Sequence, residues 1–228
     1  MSTGHSQERL IVNFHGIGEP WDGVPDAERR YWCRNSDWQD MADALAELAA
    51  DGAVEVGVTF DDGNLSDIES GLPALLDRGL SATFHVCAGR IGQPRYLDAD
   101  HLRVMRAAGM RIGCHGWHHV DLRRLDDAEL RTETEDARIR IIEACGGDVT
   151  EFAIPFGSYD RRVLDSLRRY GAVYTSDRMR APLRSWLTPR MSYVKDWRSH
   201  DLHRFAVEPY SIGWRARQSL SSLLKRLR

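Results

Sequence analysis

The chain has 228 residues, 42% of them hydrophobic and 29% charged, with a formal net charge of −3 and a pI near 6.3. Such a length suits one large domain or two small ones, and the balance is that of an ordinary globular protein. The slightly acidic charge removes any global electrostatic case for nucleic acid. Four scattered cysteines, Cys33, Cys87, Cys114 and Cys145, form no Cys-x-x-Cys pair, which excludes zinc-ribbon and thioredoxin patterns.

In chain order, the polar N-terminus up to Arg9 lacks the basic and apolar regions of a signal peptide. No apolar run approaches the ~20 residues that span a bilayer. The expectation is a cytoplasmic protein with reduced thiols. Residues 10–15 read as a strand ending in His15 and Gly16, and residues 18–26 as loop. Ser36 reads as the cap of a helix to about residue 50, with Trp38, Met41, Ala42, Leu45 and Leu48 at helical spacing. Val54, Val56 and Val58 then alternate in a strand that ends in Asp61, Asp62 and Gly63. A helix over 66–78, a strand over 82–87, a helix capped by Asp98 and a strand over 111–114 follow. One long helix is expected over 126–145, then a strand over 152–154 stopped by Pro155, and a helix from Ser158 or Asp160 to Tyr170. Strands over 172–175 and 187–194 precede a basic amphipathic helix at about 214–228.

Strands and helices alternate about seven times, and Gly79, Gly109, Gly146 and Gly171 each precede a strand. That rhythm predicts an α/β fold of parallel βα units in one sheet or barrel, as a single domain over residues 1–228. In a parallel barrel the residues at strand ends share one face. His15, Asp61, Asp62, His115 and Pro155 all end predicted strands, so the fold itself would bring them together.

Two stretches carry chemistry. Asp61 and Asp62 are adjacent carboxylates, which favour ionisation only beside a cation or donors. Taken alone they could be an ordinary Asp-Asp-Gly turn. The second stretch is His115-Gly116-Trp117-His118-His119. A single His-x-x-x-His pair is weak among nine histidines. Joined with Asp62, however, His115 and His119 make three protein ligands with a coordination position open, the pattern of a catalytic metal. Asp61 is then free to act as a base.

Thr59-Phe60-Asp61-Asp62-Gly63, His115-x-x-x-His119 and the run Phe152-Ala153-Ile154-Pro155-Phe156-Gly157 resemble the NodB-type polysaccharide deacetylases, carbohydrate esterase family 4, over roughly residues 9–195. The resemblance implies a distorted (β/α) barrel of about seven parallel strands and one divalent metal, with Zn2+ favoured and Co2+, Ni2+ or Mn2+ as alternatives. It implies removal of acetyl from N-acetylhexosamine units of a poly- or oligosaccharide or glycolipid precursor. It also implies Asp62, His115 and His119 as metal ligands, Asp61 as catalytic base, and the Phe156 N–H, after Pro155, as an oxyanion donor.

The sequence departs from the family at two positions. Gly116 stands where a Ser or Thr is usual, which predicts a looser ligand loop. Ala153 stands where many members have the arginine that orients the base. Arg190, from the last predicted strand, is expected to reach Asp61 from another direction, against the plainer reading of a surface arginine. The general acid stays open among His203, His200 and His15, with His15 expected to line the pocket. Trp117 is read equally as a sugar platform or a core residue. His85 and His101 are read as packing or surface residues, His118 as facing away, and Asp177 as a support residue. For the C-terminal helix, leucines packed on the barrel are favoured over contact with an anionic membrane. Two rival readings are a metal-independent amidohydrolase of small amides, resembling allantoinases, and an inactive sugar-binding module.

Overall fold

The computed structural model describes residues 8–208 and 212–227. Strands β1 (Glu8–Phe14), β2 (Glu55–Asp62), β3 (Ala82–Val86), β4 (Arg111–Cys114), β5 (Glu151–Ala153) and β6 (Ala172–Thr175) lie side by side in that order, each pairing parallel. β7 (Ala181–Pro182) runs antiparallel to the start of β1. β8 (Leu187–Pro189) is parallel to β6, and β9 (Met191–Ser192) is parallel to β1.

Arg190 alone separates β8 from β9, so one broken strand joins the two edges of the sheet. The single strand expected over 187–194 is therefore shorter and interrupted. The interruption has a local cause: the Arg190 amide donates to Thr175 O at 3.1 Å, toward β6, before the chain turns to β1. The result is a mostly parallel sheet that all but closes into a distorted (β/α) barrel.

Helices α1 (Asp26–Arg29), α2 (Asn35–Asp51), α3 (Leu72–Asp77), α4 (Ala99–Ala107), α5 (Asp127–Arg131), α6 (Ala137–Cys145), α7 (Arg161–Ser166), α8 (Ser199–Val207) and α9 (Ile212–Leu227) surround it. α2 forms because Trp38, Met41, Ala42, Leu45 and Leu48 fall on one buried face, and Gly52 ends it at φ 68°. Its first residue is Asn35, so Ser36 lies inside the helix and does not cap it. The expected helix over 66–78 starts with a widened π turn, Asp67–Gly71. The long helix expected over 126–145 is capped by Asp126 and Glu129 but carries a π turn, Thr132–Asp136, at its middle. Asp160, not Ser158, caps α7, which ends at Ser166 instead of Tyr170.

Alternation along the strands sorts side chains to two sides. Leu10, Val12, Phe14, Phe60 and Phe84 join the large core between sheet and helices, where the Phe60 and Phe84 rings stack 4.7 Å apart. Ile11, Ala153, Tyr174 and Ala181 form a separate small cluster.

The C-terminal helix corrects one expectation. Leu220, Leu223, Leu224 and Leu227 are 46–71% exposed. α9 docks instead through its polar face: Ser222 Oγ meets Tyr159 OH at 3.1 Å, and Lys225 Nζ donates to Asp177 at 2.6 Å and to Gly157 O at 3.2 Å. The side chains of Arg215 and Arg217, and all of Arg228, lie outside the described residues, as does the N-terminal stretch 1–7. Among the described residues no helix is long and apolar enough to cross a membrane.

Candidate active site and metal centre

Asp61 and Asp62 are the last residues of β2, and His115 follows β4 directly. Asp62 Oδ1 lies 3.4 Å from His119 Nε2 and 3.8 Å from His115 Nε2. One ligand atom from each of the three falls within 4.8 Å of the others. His115 Nδ1 stands 2.7 Å from Ala153 O. A carbonyl only accepts, so Nδ1 carries the proton and Nε2 offers its lone pair inward. Burial, and then His119, push the His115 pKa down to about 3, with Asp61 and Asp62 opposing, so the ring is neutral.

Asp62 Oδ1 is buried without a hydrogen-bond partner. Arg90 Nη1 approaches it to 3.0 Å, out of hydrogen-bond alignment. Burial alone would raise the Asp62 pKa, but His119 first, then His15, His115 and Arg90, bring it below the usual range. An orphaned carboxylate oxygen with two imidazoles, one of them fixed in the ligand tautomer, fits a divalent cation with a position left open.

Asp61 is held quite differently. Arg190 Nη1 and Nη2 donate to its two oxygens at 2.8 Å each, and Asn13 Nδ2 donates to Oδ2 at 3.0 Å. Arg190 also donates to Asn13 Oδ1 at 3.0 Å and Thr59 Oγ1 at 3.1 Å, and Thr59 Oγ1 donates to Asn13 Oδ1 at 2.8 Å. His85 Nδ1 stands 3.4 Å from Asp61 Oδ1. Arg190 is fully buried, so the surface-arginine reading is excluded. Burial would raise the Asp61 carboxyl, but the Arg190 guanidinium, with His115 and His85, holds it well below the usual carboxylate range.

A cavity of about 580 Å³ opens above these groups, lined by His15, Tyr31, Asp61, His115, His119 and Phe156 among others. His15 stacks on Tyr31 at 5.1 Å. Phe156 is 57% exposed, and its ring lies 4.5 Å from that of His119; Pro155 before it is buried. Trp117 does not line the cavity: a Cβ on Gly89 would come within 2.8 Å of the indole, which packs against the core. His200 and His203 sit on α8, where His203 Nε2 lies 3.5 Å from Glu47, and neither lines the cavity. His101 belongs to the cap of α4, and Asp177 accepts from Tyr159, Thr175 and Lys225.

The family model described as polysaccharide deacetylase matches residues 49–175. The chain belongs to the polysaccharide deacetylase family. Among curated proteins, a chitin deacetylase from a Pestalotiopsis species is 29% identical over 114 residues, 50% of this chain and 38% of that protein. The chain thus spans less than two fifths of that relative's length. Two solved structures share the deacetylase fold at low identity. The deacetylase PplD of Streptococcus pyogenes, in complex with acetate, has a TM-score of 0.76 at 18% identity, covering 89% of this chain and 99% of its own. A polysaccharide deacetylase from Bacillus cereus has a TM-score of 0.75 at 15% identity, covering 88% of this chain and 69% of its own.

Sequence reasoning missed His85, Asn13 and Glu133 as neighbours of the site. His85 is fully buried, and β-sheet register sets it beside Asp61. Asn13 was open to detection as a lone amide in an otherwise apolar strand. Glu133 lies in the π turn, and its carboxylate accepts from the Trp117 and His118 amides at 2.6 and 3.1 Å. The site also concentrates backbone strain. Among the described residues the non-glycine positions with positive φ are Asp62 (81°), Arg95 (73°), His119 (58°) and Phe156 (58°), and all but Arg95 belong to the site. Such conformations cost of order 1–3 kcal/mol each and persist where surroundings enforce them.

Proposed function

We propose that this chain removes N-acetyl groups from N-acetylhexosamine units of a poly- or oligosaccharide or a glycolipid precursor, using one divalent metal, zinc favoured, held by Asp62, His115 and His119. Residues 1–228 would act as one catalytic domain. The observation that carries the reading is the gathering of those three side chains within 4.8 Å of one another, with His115 and His119 on the wall of an open cavity, beside a carboxylate anchored by a separate set of donors.

A divalent cation there would supply Lewis acidity and lower the pKa of water from about 15.7 toward ~7. Asp61, kept ionised by Arg190, takes the proton of the attacking water on its carboxylate, whose Oδ2 lies 3.9 Å from His115 Nε2. The Phe156 N–H, on the cavity wall, donates to the developing oxyanion, a contact worth about 3–4 kcal/mol when lost. His15, on the same cavity wall, returns a proton to the leaving amine. A volume of about 580 Å³ lies within the usual range of small-ligand sites.

The test is metal analysis of the purified protein together with acetate release from chito-oligosaccharides, with and without chelator. Stoichiometric metal and chelator-sensitive acetate release are expected, with Asp61→Asn losing release but keeping metal. Chelator-insensitive release would overturn the metal assignment. Metal without turnover on any acetylated amino sugar would leave the inactive sugar-binding module.

A further inference from the structure

The segment between His115 and His119 should be weakly held. Gly116 gives it no side chain, and its φ is +81°. Yet it is pinned from both sides. On one side Ala88 N donates to Gly116 O at 2.9 Å and Gly89 N to Trp117 O at 3.1 Å. On the other is Glu133, only 2% exposed. Its Oε2 accepts from Trp117 N at 2.6 Å and His118 N at 3.1 Å, and its Oε1 meets His118 Nδ1 at 2.7 Å. Among the described residues, every hydrogen bond of this carboxylate goes to the segment that separates the two histidines. A Cβ at Gly116 would stand 2.5 Å from Glu133 Oε2, so glycine is required for the carboxylate to approach. The π turn Thr132–Asp136 makes the approach from the helix side, and widened turns of this kind recur at functional sites.

We propose that Glu133 is a positioning residue: it fixes the 116–118 segment so that His115 and His119 present their Nε2 atoms to one cation. The segment is thus not loosened by Gly116. Glycine makes room for a tether that reaches in from a separate helix. The proposal rests on the metal reading above, and its test separates the two.

Zinc binding by calorimetry and the visible spectrum of bound Co2+ are compared for the wild type, Glu133→Ala and the near-isosteric Glu133→Gln. Amide exchange of Trp117 and His118 is followed in the metal-free proteins. Loss of outer-shell partners typically costs 10–100-fold in metal affinity. That loss is expected for both variants, with an altered Co2+ spectrum and faster exchange at the two amides. The double variant Glu133→Ala/Gly116→Ser, which puts a hydroxyl where the carboxylate was, should regain part of the affinity. Unchanged affinity and spectrum in Glu133→Gln would overturn the proposal. If the wild type binds no metal, the metal reading fails, and exchange alone decides this one: unchanged protection at Trp117 and His118 refutes it.

A second inference stands on α9. Leu220, Leu223, Leu224 and Leu227 share one face by their spacing and are 46–71% exposed, while Ser222 and Lys225 face the barrel. Residues 212–228 contain five Lys and Arg, of which Lys225 is taken up by Asp177 on the barrel, and no acidic residue, in a chain of net charge −3. A second copy would set this basic helix against its like with no carboxylate on it to pair. An anionic bilayer offers both hydrocarbon for the leucines and phosphate for the arginines. We infer that this face lies on an anionic lipid surface. The intact protein should sediment with vesicles containing phosphatidylglycerol and not with pure phosphatidylcholine, and Leu220→Ser/Leu224→Ser should abolish it. No sedimentation with either vesicle, or a dimer by light scattering that the same variant dissolves, would overturn it.

Discussion

Arg190 and Asp61, 129 residues apart, meet through two N–H···O bonds of 2.8 Å in a fully buried pair. The guanidinium fork matches the carboxylate in a way an ammonium cannot. Arg190→Ala leaves a buried carboxylate uncompensated, which typically costs about 3–5 kcal/mol of stability. Acetate release should fall by about 10²–10⁴, the range of a lost general base. Arg190→Lys should keep more stability than activity, because it retains the charge and loses the two-point orientation. Chemical denaturation and steady-state kinetics on both variants check this.

Phe156 holds φ at +58° with its ring largely exposed. Phe156→Gly removes backbone strain of about 1 kcal/mol and little buried surface. Thermal stability should hold or rise, while acetate release falls because the proposed donor amide is no longer held in place. A parallel drop in both quantities would mean the ring matters more than the backbone.

Arg90 carries a positive charge to within 3.0 Å of Asp62 Oδ1. A guanidinium so placed opposes a cation at the same oxygen. Arg90→Ala is expected to tighten zinc binding by about tenfold, equivalent to about 1.4 kcal/mol. Calorimetry reads this directly, and weaker binding would show that Arg90 orients Asp62 instead.

Asp67 is fully buried, and neither carboxylate oxygen has a hydrogen-bond partner. Burial foremost, then Asp62 and Asp61, push its carboxyl well above the usual range, and the Asn64 amide offsets this only in part. Its unfolded pKa is about 3.9. The native state therefore binds more protons than the unfolded state above that pH, and stability falls as pH rises toward the native value. Asp67→Asn should make the metal-free protein more stable than the wild type at pH 8, and the difference should shrink near pH 4. Urea melts at the two pH values test it.

Much of the site was legible because strand ends converge in a parallel barrel, so Asp61, Asp62, His115 and His119 needed only their order along the chain. Arg190 was legible through a gap: Ala153 left Asp61, the expected base, without the arginine many family members place there, and the last strand offered another. His85 was not, because its nearness to Asp61 depends on the register of β3 against β2, which a linear pattern does not encode. Glu133 was hidden inside a stretch that reads as one regular helix, and only the π turn exposes its inward aim. The leucines of α9 kept helical spacing, but spacing cannot tell which face meets the barrel.

Arg190 is also the residue at which the last strand breaks between β6 and β1. Its bond to Asn13 spans 177 residues, a contact that forms only after most of the chain is in place. Without the segment around Arg190 the carboxylate at position 61 would lack both guanidinium bonds. On the proposed mechanism, orientation of that carboxylate therefore depends on the segment that closes the barrel and not on the strand that carries it.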